Sequence, residues 1–270
     1  MVTIRRMKRC IAVLLFCSVS FLARADTLAD IRSSKSLKVG LQAGYVPFAM
    51  RKPDGSYVGY EIEMMKAFAK RLGVAASFVD TKWEGIIVSL HARKFDVIVA
   101  GMTITPERAK AVLFSEPYYL SGLKLLLAHK YAGKFKNLAE FDAAGLSLGV
   151  QLGTTGDFFA TRSMKKAKIV RLDLESDVAN AVLLGKMDGF IFDAPFLQLF
   201  SHRHQGKVEL LPDLLSEEKL GLAARKSDQS LVSEFNAFLA DWKKSGESER
   251  TAKAFFQDRV WLKDFPQLMN

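Results

Sequence analysis

The sequence predicts an α/β protein made of two units that face each other across a ligand cleft. Three observations carry this. Short β-branched and apolar runs alternate with helix-period stretches from residue 37 to residue 100. The same alternation restarts near residue 146 and continues to about residue 200. Extended segments at 124–129 and 219–225 join the two runs. Alternation of this kind builds layered units with parallel strands, and ligand loops collect at the C-terminal ends of such strands.

Residues 1–25 stand apart from those units. Arg5, Arg6, Lys8 and Arg9 precede an apolar run from Cys10 to Ala23, and Ala23-Arg24-Ala25 supplies a small-x-small cleavage site. This is the pattern of a secretory signal peptide, and the run is shorter than the roughly 20 residues a membrane span needs. A lipid anchor at Cys17 is disfavoured by the bulky Phe16 before it. Both cysteines lie in this segment, so the mature chain is expected to have no disulfide, no thiolate nucleophile and no cysteine metal site. Loss of the segment's five positive charges takes the formal charge from +10 to +5. That remainder is spread over mixed-sign stretches without a basic run, which argues against nucleic-acid binding.

The first unit begins with a strand at Leu37–Leu41, then a turn through Gly44 and Pro47. Lys52-Pro53-Asp54-Gly55 reads as a hairpin turn, with Tyr57–Tyr60 as its second arm. A helix from Glu61 places Ile62, Met65, Phe68 or Ala69 and Leu72 on one face, and Gly73 stops it. A strand at Ala76–Val79, a helix from Trp83 to Leu90 and a strand at Phe95–Ala100 complete the alternation. The second unit is expected to contain a strand at Leu146–Val150, a Gly/Thr loop at Gln151–Gly156, a strand at Ile169–Leu172, a helix at Ser176–Leu184 and a strand at Gly189–Phe192. Strands near 207–211 and 219–225 lead to helices around 230–244 and 249–257.

One stretch organises the chain: FDVIVAGMTITPERAKAVLFSEPYY, Phe95–Tyr119. Thr105, Pro106 and Glu107 are residue types that open a helix, so the loop from Gly101 sits between a strand's end and a helix's first turn. Such a loop offers unpaired backbone amides and the hydroxyls of Thr103 and Thr105, with the Arg108 guanidinium about one helical turn onward. Together they form a candidate carboxylate site. Taken singly, Thr105 reads as a helix cap and Asp193, before Ala194-Pro195, as another.

GMTITPER followed by FSEPYY resembles a signature of the periplasmic amino-acid-binding proteins of ABC importers (solute-binding protein family 3), and the resemblance extends from about Leu37 to the C-terminus. It implies a two-lobed periplasmic-binding-protein fold of type II with a two-segment hinge, expected near 127–130 and 217–221. The lobes would be 26–128 with 219–270, and 129–218. By the same resemblance Arg108 binds a ligand α-carboxylate, Thr103 shares it and Gly101 offers a carbonyl to the α-ammonium. Thr155 closes on the carboxylate from the second lobe, and Asp193 pairs with the ammonium. Tyr45 and Trp83 fall where aromatic residues pack on the ligand side chain.

Many relatives of this kind have an aspartate where this chain has Gln42, which leaves Gln42, Gln151 and Glu84 as polar candidates at the side-chain end. A polar amino acid such as glutamine is the expected ligand, with a basic one open through Glu84. The expected partners are a free amino acid and an inner-membrane ABC permease, for a periplasmic monomer without cofactor or metal. The alternatives are a sensor, or an enzyme resembling cyclohexadienyl dehydratases with Glu84 or Glu116 as general acid.

Overall fold

Two five-stranded sheets frame the molecule. The computed structural model describes residues 26–265, so the expected signal peptide lies outside the described residues. In the first sheet the order is Ala75–Asp80, Ser36–Leu41, Val97–Ile98, Ala223–Ala224, Leu113–Phe114. The first three strands run parallel, and Ala223–Ala224 runs antiparallel to both of its neighbours. Leu37, Val39 and Leu41 are buried while Lys38 is exposed, so the period-two apolar pattern fixes which face meets the core.

The helix Tyr60–Leu72 buries the predicted stripe of Ile62, Met65, Phe68, Ala69 and Leu72, and it ends where Gly73 takes φ +71°, a left-handed conformation that glycine adopts without a Cβ penalty. Phe68 meets Phe235 and Phe238 of the late helix Gln229–Lys244 at ring distances of 5.1 and 5.3 Å. Arg225, just after the inserted Ala223–Ala224 strand, donates to the carbonyls of Leu90 and Phe95 and is ion-paired with Asp228 at 2.9 Å. Asp228 in turn accepts from Thr27 at 2.9 Å. The chain's return therefore completes the first sheet and clamps the first helix, Thr27–Ser34, onto it.

The second sheet has the order Lys168–Leu172, Ser147–Gln151, Gly189–Asp193, Leu123–Ala128, Val208–Leu210. Its first three strands are parallel, and Leu123–Ala128 is antiparallel to both neighbours. This moves the first crossing from its expected place near 127–130: residues 123–128 already belong to the second sheet, and the boundary after 128 falls too late. All six of these residues are buried, and a strand covered on both faces reads as the same largely apolar run, here interrupted by Lys124, in whichever sheet it lies. The crossings are instead Tyr119–Ser121 and Glu218–Leu220, which pair antiparallel with each other. The strand expected over 219–225 is split in two at Gly221, whose N–H bonds the carbonyl of Met102 at 3.0 Å.

Candidate functional site

The C-terminal ends of the parallel strands of both sheets point into one cavity with about 380 Å³ of empty space, its open mouth included. Gln42, Tyr45, Trp83, Ala100, Gly101, Thr103 and Arg108 line it from the first lobe, and Gln151, Thr154, Thr155, Glu175, Phe192 and Asp193 from the second. All eight residues predicted to contact ligand are therefore brought together: Tyr45, Trp83, Gly101, Thr103, Arg108, Gln151, Thr155 and Asp193.

Local sequence explains the placement of the first group. Thr105 caps the helix Pro106–Ala111 by accepting from the Arg108 N–H at 3.2 Å, with Pro106 at its first position. The guanidinium then turns back to donate to the Thr103 carbonyl at 3.0 Å and lies 5.0 Å from the centre of the Trp83 ring. Stacking, that bond and a longer one of 3.4 Å to the Gly153 carbonyl of the second lobe thus hold a planar cation at the cavity wall. Gly101 has φ +61°, and a Cβ there would stand 2.3 Å from the Tyr45 ring. Its N–H donates to the buried Glu61 at 2.8 Å, and Tyr118 donates to the same carboxyl oxygen. Burial pushes the Glu61 carboxyl up to about 7, against the downward pull of these two bonds.

The second lobe contributes by the same strand, loop and helix logic. Thr154 caps the helix Thr155–Ser163 by accepting from the Asp157 N–H, and it lines the cavity as well. Asp193 stands at the cap position of the helix Ala194–Arg203 but makes no capping bond. Its carboxylate turns instead to the cavity and accepts from the Tyr45 hydroxyl across the cleft. Burial, then the nearby Glu218 charge, raises the Asp193 pKa, while the Tyr45 bond and the Arg108 charge oppose that rise. Arg108 is shifted down by its own burial, with Glu218 and Asp193 pulling it back up.

Two carboxylates at this site were not read from the sequence. Glu218, on the return crossing, accepts from Thr103 at 2.8 Å and from Thr155 at 3.1 Å, so one residue of that crossing gathers a hydroxyl from each lobe. Glu175 is 2 % exposed and opens the helix Glu175–Leu183; it accepts from the Gln42 amide at 2.7 Å. Burial pushes its carboxyl up to about 7, with the Gln42 bond acting the other way. The nominated Glu84 is exposed and lines a separate depression with Lys82 and Asp177, and Glu116 is exposed. Neither lines the cavity, because the turn Trp83–Gly85 aims Trp83 inward and leaves Glu84 outside. The signal for Glu175 was its place just after the second unit's Lys168–Leu172 strand, at the same sheet edge as the other loops.

The lobes also touch directly around the cavity. Trp83 Nε1 donates to the Gly153 carbonyl at 3.1 Å, and Gln151 donates to Gln42 at 3.3 Å.

The model of the bacterial extracellular solute-binding proteins, family 3, matches residues 37–258. Among curated relatives, the L-cystine-binding protein TcyJ of Escherichia coli is 28 % identical over 88 % of this chain and 89 % of its own. The cyclohexadienyl dehydratase of Pseudomonas aeruginosa is 29 % identical over 72 % of each chain. Among solved structures, a binding component of an ABC transporter from Wolinella succinogenes, complexed with lysine, is 36 % identical with a TM-score of 0.81, over 85 % of this chain and 99 % of that one. An ancestral amino acid-binding protein, a precursor of cyclohexadienyl dehydratase, gives 36 % and 0.81 over 86 % and 100 %.

Proposed function

The chain belongs to the bacterial extracellular solute-binding proteins, family 3, and from that premise we propose that it captures a free, polar L-amino acid between its lobes and delivers it to an inner-membrane ABC permease. One observation carries the reading: Arg108 and Asp193 enter the same buried cavity from opposite lobes. A guanidinium and a carboxylate facing one space match the two ends of a zwitterion, and neither charge of the ligand is then buried without a partner. Thr103 and Thr155 add hydroxyls beside the carboxylate position, and Tyr45 and Trp83 wall the side chain. Binding replaces the Tyr45–Asp193 contact and the direct lobe contacts with contacts through the ligand, which couples capture to closure.

The crossings Tyr119–Ser121 and Glu218–Leu220 serve as the hinge, with residues 26–121 and 221–265 as one lobe and 122–217 as the other. Residues 1–25 act as a cleaved export signal, the mature protein works as a periplasmic monomer, and capture involves no chemistry. Glu175 favours a second reading, since a buried carboxyl that exchanges its proton near neutrality is what a dehydratase needs as general acid.

A thermal-shift screen of the mature chain against the twenty amino acids, with prephenate and arogenate alongside, separates the readings. Binding of an amino acid to the native state raises the melting temperature. Consumption of prephenate or arogenate with no amino-acid shift replaces capture by catalysis.

A further inference from the structure

We propose, on the reading that the cleft takes a free amino acid, that Glu175 is the residue that sets specificity at its side-chain end, and that the ligand carries a cationic side chain, an ammonium or a guanidinium.

The hydrogen bonds at that end leave an acceptor waiting. The Gln42 carbonyl oxygen accepts from the Trp83 backbone N–H at 3.0 Å and from Gln151 Nε2 at 3.3 Å. A backbone N–H can only donate, so it fixes which way the Gln42 amide faces, and the Gln42 NH₂ is therefore the group turned to Glu175. Gln151 spends a second donor on the Asp173 carbonyl at 2.9 Å. Gln42 is thus committed through both ends of its amide and Gln151 through its amide nitrogen, and Glu175 is the charged group left with capacity to accept from a ligand. Among the described residues no side chain other than Gln42 donates to it, and no cation is ion-paired with it.

Charge balance points the same way. Arg108 supplies one positive charge at the cavity, against the formal negative charges of Asp193, Glu175 and the adjoining Glu218. A zwitterion with a neutral side chain adds no net charge and leaves that excess in place. A ligand of net charge +1 offsets part of it, at the one cavity-lining carboxylate that neither main-chain group of the ligand needs. A neutral amide such as glutamine would have to leave Glu175 either charged without a counter-charge in a buried site or protonated. The elevated pKa of Glu175 is what a desolvated carboxylate shows before its counter-charge arrives. Position 42 of the first lobe is glutamine, and the acid at this end comes from the opposite lobe, 133 residues away.

Isothermal titration of the mature chain with arginine, lysine, citrulline and glutamine tests this, because citrulline keeps the shape of arginine without its charge. Arginine or lysine is expected to bind at least about 30-fold more tightly than citrulline and glutamine. Glu175→Gln, checked for an unchanged melting profile, is expected to narrow the arginine-to-citrulline ratio by about tenfold or more. Tighter or equal binding of citrulline or glutamine by the unaltered chain overturns the inference while the amino-acid reading stands. An undiminished ratio in Glu175→Gln overturns the role of Glu175. Binding of none of the four, with no response in the wider amino-acid screen, overturns both.

Discussion

The two ends of the cleft are built by different rules. The main-chain end is made of loops that each follow a strand and open a helix: Gly101–Thr105 before Pro106–Ala111, Gln151–Thr154 before Thr155–Ser163, and Asp193 before Ala194–Arg203. The groups proposed to meet the ligand there lie within a few residues of a helix start. The side-chain end instead ties Gln42 to Trp83 within the first lobe and to Glu175 and Gln151 of the second, so only the meeting of the two lobes completes it. Local backbone geometry sets the first end and tertiary packing sets the second. One should grip any amino acid, and the other should choose among them.

The largest effects are expected where the two ends are separated by mutation. Arg108→Ala and Asp193→Ala each leave an opposite ligand charge buried and unpaired, so affinity should fall by roughly 2 to 5 kcal/mol for every amino acid that binds. Calorimetry with two ligands of different side chain checks this, and a loss confined to one of them would place Arg108 or Asp193 at the choosing end. Gly101→Ala comes next. A side chain there must adopt positive φ and displace the Tyr45 ring, so we expect about 2 kcal/mol or more of lost stability in urea unfolding, with binding weakened alongside. Retention of full stability would mean that Gly101 is not held in the conformation that shapes the main-chain end.

The ease of reading the chain followed the same division. Glycine, threonine and proline mark strand-to-helix turns, so Thr105, Thr154 and the helix start after Asp193 announced where amides and hydroxyls would gather. The helix at Tyr60–Leu72 and its stop at Gly73 were equally plain from apolar spacing. Glu175 was not, because two acids, Glu175 and Asp177, open the same helix and spacing alone does not say which turns inward. Glu84 was a polar candidate for the side-chain end, yet it sits beside Trp83 on a tight turn whose adjacent residues face different ways. The crossing was placed late for a related reason: a largely apolar run says that a strand is buried on both faces but not which sheet buries it. Glu218 was hidden because its role depends on Thr103 and Thr155 converging from both lobes.

Titration gives a smaller effect shared by both ends. Glu61 and Glu175 are pushed up to about 7, and Asp193 is raised as well, by burial first in each case. Between the ordinary carboxylate range near pH 4 and about pH 7, the folded protein then holds more protons than the unfolded chain. The stability these groups contribute is complete at the acid side of that window and is lost as pH rises through it. Each group contributes a slope of at most about 1.4 kcal/mol per pH unit, so the empty protein should be more stable in urea at pH 5 than at pH 7. A stability that rises over that interval would contradict the desolvation of these carboxyls. A ligand ammonium beside Asp193 favours its charged form, so binding near pH 6 should release protons, seen as a buffer-dependent heat.

The smallest effect has the opposite sign. Glu218 holds the hydroxyl protons of Thr103 and Thr155, which a ligand carboxylate would compete for, and it places a like charge nearby. Glu218→Gln should therefore tighten binding by about 1 kcal/mol. Weaker binding in that variant would make Glu218 a support of the grip and not a competitor to it.

The central claim, that opposite charges from two lobes seize the ligand's own main chain, is tested most directly by capping the ligand. The best-binding amino acid should be titrated beside its α-amide and its N-acetyl derivative, which keep the side chain and remove one main-chain charge each. Each capped form is expected to bind at least about 30-fold more weakly than the free amino acid. Capped forms that bind as tightly as the free amino acid would contradict the account.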